Sequence, residues 1–419
     1  MQCVWNYAWY EPASLVTTSG LPVQVLDTGI ANTDAGPDFF QANIRIGGVC
    51  WTGNVQVLEK ASRWQASGYD TERLYDSVVL LVVGDPDAVV RRTNGEVIPQ
   101  LVLHIPEVIR VNYADLMRKD RGVPCISRMM EIEPFLLSSW TNTLLAERLE
   151  RKTQDIFRLL EQFAGDWNEV FYITLCRSFG FGTHGDALEA LAKSLPLRCL
   201  QKHRGNIEQT EALFFGQAGL LDDRNPDVYY RKLQGEYHFL QHKFGLKPMT
   251  GFLSGEKHPD PKGIPPLKLA QIAAIWSRYD TLFSLVREAE TPEAIRCLLR
   301  VQPSGYWETH YHFRYPSAPK PKTLTENALD ILLINTVVPM VFAYGKFFNQ
   351  CMLEEKALGI LESVPAENNT IVSLFREGGV PVQHAGDSQA LIQLKRMYCE
   401  NKKCLYCRIG FKLLQSEKK

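Results

Sequence analysis

The sequence predicts an α+β protein, with an N-terminal α/β domain on a mixed sheet followed by a large all-helical domain. Before about residue 115, short β-rich runs are separated by Gly, Asn, Asp and Pro. From Glu133 onward the apolar spacing changes to that of a helix. The 419 residues are about two to three times the usual domain length, so two domains are the default.

Taken in order, residues 3–12 are aromatic-rich and read as a short helix. Strands are expected at 21–26, 42–46, 49–58, 78–83 and 100–104, the last followed by a turn at Pro106. Alternation along 55–60 puts Gln56, Leu58 and Lys60 on one face and Val55, Val57 and Glu59 on the other. The boundary falls between 115 and 135 and is placed after residue 120, giving domains 1–120 and 121–419. In the second, Leu144, Leu145, Leu149, Ile156, Leu159, Leu160 and Phe163 recur at helical spacing with charges between them. Further helices are expected at 168–179, 184–194, 207–218, 226–242, 266–288, 325–350 and 386–397, with an internal loop at 251–266.

The 46 basic and 47 acidic side chains nearly cancel. No global field therefore draws the protein to nucleic acid or to an anionic membrane, and any polyanion site must be local. The start, Met1-Gln2-Cys3-Val4-Trp5, is not a basic leader followed by an apolar run, which predicts a cytoplasmic protein. The longest uncharged stretch, 331–345, contains Asn335 and Pro339 and falls short of the roughly 18 to 20 apolar residues of a bilayer crossing. A buried helix and no membrane partner are expected. Ten cysteines in a reducing compartment make a tight thiol cluster a metal site sooner than a disulfide framework.

Several separated motifs carry a resemblance. They are Asn32-Thr33-Asp34-Ala35-Gly36-Pro37-Asp38-Phe39, Trp51-Thr52-Gly53-Asn54-Val55, Phe179-Gly180-Phe181-Gly182, Phe214-Phe215-Gly216-Gln217-Ala218-Gly219-Leu220-Leu221, Ile334-Asn335-Thr336-Val337-Val338-Pro339 and Asp387-Ser388-Gln389-Ala390-Leu391. In this order, and over nearly the whole chain, they resemble the bacterial domain-of-unknown-function family 2851. The family carries no established activity. Its usual pattern, an Asp before one strand and Glu-x-His on the next, resembles the PD-(D/E)XK nuclease core and implies a restriction-endonuclease-like sheet. This chain departs from that pattern: Val55-Gln56-Val57-Leu58 stands for Val-Glu-Ile-His, Gln65-Ala66-Ser67-Gly68-Tyr69 for a His-x-His segment, and Leu80-Leu81-Val82-Val83 for Leu-His-Val-Val.

The resemblance points to Asp38, Gln56 and Lys60 as a degenerate catalytic constellation. Metal-assisted phosphodiester hydrolysis needs hard oxygen ligands for Mg²⁺ and a basic group. Asp38 supplies one ligand, Gln56 only a neutral carbonyl oxygen, and Lys60 the positive charge. Against this stands a plainer reading, in which Gly36-Pro37-Asp38 is a strand-entry turn and Asp38 bonds the backbone. That reading is preferred, with a ligand pocket and an active metal site as alternatives.

Cys399, Cys404 and Cys407 place three thiols within nine residues, with the Cys-x-x-Cys spacing of zinc and iron–sulfur sites. Zinc is the preferred metal, an iron–sulfur cluster the alternative, and Mg²⁺ enters only with an active N-terminal site. Cys125 is the first choice for the fourth ligand and His384 the second. The basic segment 395–419, with Tyr398, Tyr406 and Phe411 interleaved, offers a nucleic-acid contact beside the plainer reading of a solubilising end. Arg148, Arg151 and Lys152, among Glu147 and Glu150, read as a solvated helix face. His238 with His242, and His310 with His312, read as packing or surface residues. Three functions follow in order of preference: a catalytically degenerate nuclease-like binding or assembly module clamped by a cysteine-bound metal, a Mg²⁺-dependent nuclease, and a protein-interaction scaffold.

Overall fold

Six strands form one mixed sheet in the computed structural model, which describes residues 1–32, 34–118, 122–222, 224–249, 265–313 and 315–416. They are β1 (Val23–Asp27), β2 (Ile30–Ala31), β3 (Phe39–Ile46), β4 (Val49–Lys60), β5 (Val78–Asp85) and β6 (Gln100–Val102). The order is β1-β3-β4-β5-β6, with β2 paired to β3. β3 pairs antiparallel with both β1 and β4, whereas β5 pairs in parallel with both β4 and β6. The expected mixed sheet is therefore present.

Local chemistry explains the layout. Ile46 pairs with Val49 across Gly47 and Gly48, both at positive φ, the conformation a two-residue hairpin needs. β5 lies between two parallel neighbours and is covered on both faces, so Val78 to Val83 is an unbroken buried apolar run. Val55, Val57, Leu80 and Val82 pack with Trp5 on one face. Leu58, Leu81 and Val83 pack with Trp64 and Tyr75 on the other.

Residues 1–136 and 397–419 form one compact unit, and residues 137–396 form the other. The end of the chain thus folds with the sheet. Helix Arg408–Gln415 lies against helix Glu107–Arg118, where the buried Asn112 amide donates to the carbonyls of Leu414 (3.0 Å) and Ser416 (2.9 Å). Those are carbonyls that a helix end leaves without intrahelical partners. Phe411 packs on Tyr7 and Trp9 at ring separations of 4.8 and 5.0 Å.

The second unit is helical, as expected. The long helix Pro134–Gln162 leads into it. The stretch expected at 266–288 breaks into Pro266–Arg278 and Leu282–Glu288, and the loop expected at 251–266 lies outside the described residues up to 264. Residues 325–350 fold as Glu326–Leu332, a π-turn at Leu333–Val337, and Val338–Phe348. Pro339 accounts for the irregular turn, since it lacks the N–H that Asn335 carbonyl would accept and its ring crowds that carbonyl. The helical run Glu326–Phe348 is, against expectation, long and apolar enough by length and composition to cross a membrane, and its most apolar window is 67% buried inside the fold. His310–His312 is a short strand paired with Tyr315–Pro316, and His310 stacks on Tyr306 at 4.0 Å.

Candidate functional site

The loop entering β3 is organised by one side chain. Asn32 Nδ2 donates to the carbonyls of Asp34, Ala35 and Pro37, while its Oδ1 accepts from the Asp34 N–H. The Asn32 N–H donates to Asp38 O at 2.8 Å, and Gly36 takes the positive φ the loop requires. Asp38 is thereby delivered to the edge of β4. Its Oδ2 accepts from Val57 N–H and from Gln56 Nε2, both at 2.8 Å, and its Oδ1 accepts from Gln2 Nε2 at 2.8 Å. In return, Asp38 N–H donates to Gln56 Oε1 at 3.1 Å. Where the β3–β4 ladder ends, the carboxylate continues it by satisfying the next β4 donor. Burial pushes the Asp38 carboxyl above the usual aspartate range, and the Val57 and Gln2 donors partly oppose the shift.

Asp38 and Gln56 are brought together as expected, and Lys60 is not. It lies four residues along the strand, about 13 Å away. Its ammonium pairs with Asp85, its register partner on β5, at 3.6 Å across exposed surface. In the stretch 65–69, where the resemblance leads us to expect a His-x-His segment in place of Gln65-Ala66-Ser67-Gly68-Tyr69, Tyr69 stacks on Tyr75 at 4.0 Å beside Trp64. Burial and the Tyr69 contact push the Tyr75 phenol up to about 12.

The thiols that sequence spacing groups together are placed in the first unit. Cys404 and Cys407 are buried, Cys399 ends the π-turn Leu394–Cys399, and Cys125 Sγ lies 4.0 Å from Met129 Sδ. Among the described residues, no group of three or more Cys, His, Asp or Glu side chains is arranged to hold a metal ion. His384, the second choice for a fourth ligand, instead caps helix Ala385–Gln393, its Nδ1 accepting from Asp387 N–H. The chain end is held by Asn112 and the Phe411 packing. Burial, with Cys407 beside it, pushes the Cys404 thiol up to about 11. It should react with a thiol reagent far more slowly than the exposed Cys50, Cys297 and Cys351. Peptide mass spectrometry that found Cys404 labelled as early as those three would contradict this packing.

The basic segment is partly committed to the fold. Lys412 pairs with Glu133 at 3.2 Å, and Phe411 is covered by aromatic neighbours, while Tyr406 is exposed. Lys418 and Lys419 lie outside the described residues.

Sequence reasoning missed a polar cluster inside the helical unit. Arg148 is only 6% exposed, so the solvated face expected for it does not form. The reason is the row of positions 148, 151 and 152, which share one side of the long helix and turn it toward other helices. Arg148 Nε donates to Gln389 Oε1 at 2.6 Å, and Gln389 Nε2 donates to Glu367 Oε1 at 2.7 Å. Asn335, on the π-turn, donates to Glu367 Oε1 at 3.1 Å and accepts from Lys152 Nζ at 3.1 Å. Asn369 Nδ2 donates to Glu367 Oε2 at 3.1 Å. Burial pushes the Arg148 guanidinium down to about 10, and burial followed by Arg148 pushes the Lys152 ammonium well down. A signal was available: Asn335 and Gln389 are amides inside otherwise apolar helical motifs, where a polar group needs a partner. Elsewhere in this unit, a cleft of ≈ 340 Å³ is lined by Phe163, Glu169, Lys193, Leu197 and Arg198, and burial pushes Glu169 up to about 6.

A family model described as "Protein of unknown function (DUF2851)" matches residues 1–370, so Gln389 and the three C-terminal cysteines lie beyond the match. No curated protein and no solved structure matches the chain.

Proposed function

We propose that this chain, which belongs to the DUF2851 family of proteins of unknown function, is a non-hydrolytic binding module whose sheet unit keeps Asp38 for folding. One observation carries the reading. Every side-chain oxygen of the Asp38–Gln56 pair already accepts a hydrogen bond from the chain itself. Mg²⁺ is held by carboxylate and other oxygens in a near-octahedral shell, and those oxygens must be open to it. Gln56 contributes no charge, Leu58 contributes no base, and Lys60 is engaged by Asp85. A nuclease reading asks the same oxygens to leave Val57 and the Gln56 amide without partners inside a sheet, which is costly.

The test is cleavage by the full-length protein in Mg²⁺ or Mn²⁺, on single- and double-stranded DNA and RNA. The expected result is no product above that of an Asp38→Ala control. Turnover by the unmodified protein that Asp38→Asn abolishes would overturn the reading in favour of a metal-dependent nuclease.

A further inference from the structure

We propose that the helical unit binds a phosphate group, free or as the monoester end of a small molecule, at Arg148, Arg151 and Lys152. The inference deepens the binding-module reading by naming a ligand class. It rests on a different unit from Asp38, so a cleavage assay and a phosphate titration fail independently.

The first ground is uncompensated buried charge. Arg148, Arg151 and Lys152 lie at i, i+3 and i+4 on helix Pro134–Gln162 and so share one face. Arg396 is within electrostatic reach of both Arg148 and Lys152. The acid among them is Glu367, and its two oxygens take amide donors from Gln389, Asn335 and Asn369. Arg148 and Lys152 bond to neutral amide oxygens of Gln389 and Asn335. Arg148, Arg151 and Lys152 against that one carboxylate leave an excess of two positive charges in a partly desolvated place. Bringing like charges out of water without a counter-charge is expensive, and proteins avoid it unless an anion or partner arrives.

The second ground is unpaired donors. Arg148 Nη1 and Arg151 Nε are both buried and make no hydrogen bond. Buried guanidinium N–H groups without acceptors are rare enough to need an explanation. A guanidinium presents its donors in a planar fork that matches two oxygens of a phosphate, and an ammonium adds a point charge. The dianionic charge of a phosphate monoester balances the two-charge excess.

The third ground is how the amides are positioned. Asn335 sits on the π-turn that Pro339 imposes, an irregularity that often marks functional positions in helices. It links Lys152 to Glu367, while Gln389 links Arg148 to the same carboxylate. The carboxylate thus orients two cations through neutral amides without neutralising them by direct contact. Arg148 and Gln389 are 6% and 3% exposed, whereas Arg151 and Lys152 are half-buried. Such a place suits a small anion more than a polymer backbone, which needs an open cationic surface.

The experiment uses the full-length protein in a phosphate-free buffer. Sodium phosphate, phenyl phosphate and sodium chloride are titrated at matched ionic strength, with thermal melting and calorimetry as readouts. Phosphate is expected to raise the melting temperature progressively, as any ligand of the native state does, while chloride does not. Arg151→Gln should weaken phosphate binding about tenfold, the loss of one charge-assisted hydrogen bond. It should also leave the ligand-free melting temperature unchanged or higher, because a half-buried like charge is removed. Equal protection by phenyl phosphate assigns an ester end, and protection by inorganic phosphate alone assigns the free anion. Identical melting curves in phosphate and chloride would overturn the proposal. So would an Arg151→Gln protein that melts earlier without ligand and keeps its full phosphate response, since that pattern belongs to a purely structural arginine.

Discussion

Replacing Gly216 by alanine is expected to lower the melting temperature of the helical unit by about 6 to 12 °C. Gly216 lies in helix Ile207–Gln217, which packs against helix Val228–Phe244. A Cβ there meets the Tyr237 ring, with Cγ at 2.0 Å and Cδ1 and Cδ2 at 2.2 Å. No real contact is that short, so either the ring or a helix has to move. The ring has little freedom. Tyr237 is buried, and its hydroxyl donates to Gln217 Oε1 at 3.0 Å, while the Gln217 amide donates to the carbonyls of Lys247 and Ser194. Pushing the ring aside breaks a buried hydrogen bond as well as the packing. Overpacking of this kind costs about 3 kcal/mol, and a unit of this size loses about 2 to 4 °C for each kcal/mol. Circular dichroism melting of Gly216→Ala beside Gly235→Ala checks it, because Gly235 has open space where its Cβ would go. Equal melting temperatures for the two variants would mean that this helix contact is not as close as described.

What was legible in the sequence follows from period and length. β5 is an apolar run bounded by turn residues, β4 shows two-residue alternation along 55–60, and helix Pro134–Gln162 has many turns of apolar spacing, so each announces itself locally. β2 is two residues long, and helix Leu197–Gln201 only five, too short for a period to register. Helix Arg408–Gln415 was hidden differently. Its apolar face is plain only once helix Glu107–Arg118 is known to receive it, a contact about 300 residues away in sequence. Asp38 and Gln56, grouped by the family resemblance, do meet, because Asp38 immediately precedes β3 and Gln56 lies on β4, the next strand in sequence and its neighbour in the sheet. Arg148 was misread because helical charge spacing is the same whether the face meets water or another helix. Only tertiary structure distinguishes the two. The cysteines show the converse limit: spacing defines which thiols can converge, whereas Asn112 and the Phe411 packing already tie down the segment that carries them.

Asp38→Ala is expected to destabilise the protein by about 2 to 5 kcal/mol, and the sign of that change bears on the whole functional reading. The substitution removes the acceptor of two buried donors, Val57 N–H and the Gln56 amide, each of which costs about 1 to 3 kcal/mol when left unsatisfied. Water does not readily replace the carboxylate, because Val57 and Gln56 are both buried in β4. The third donor, Gln2, is exposed, so Gln2→Ala should change stability by no more than about 0.5 kcal/mol. A carboxylate kept for catalysis behaves in the opposite way. Active-site charges are held at a cost to stability, and removing one usually leaves the fold unchanged or more stable. Urea denaturation of Asp38→Ala, Gln2→Ala and the unmodified chain therefore separates the two roles without any knowledge of substrate. A large loss for Asp38→Ala beside a negligible one for Gln2→Ala is the structural signature. An Asp38→Ala protein as stable as the original, or more so, would return Asp38 to the status of a functional acid and reopen the metal-dependent reading of the sheet.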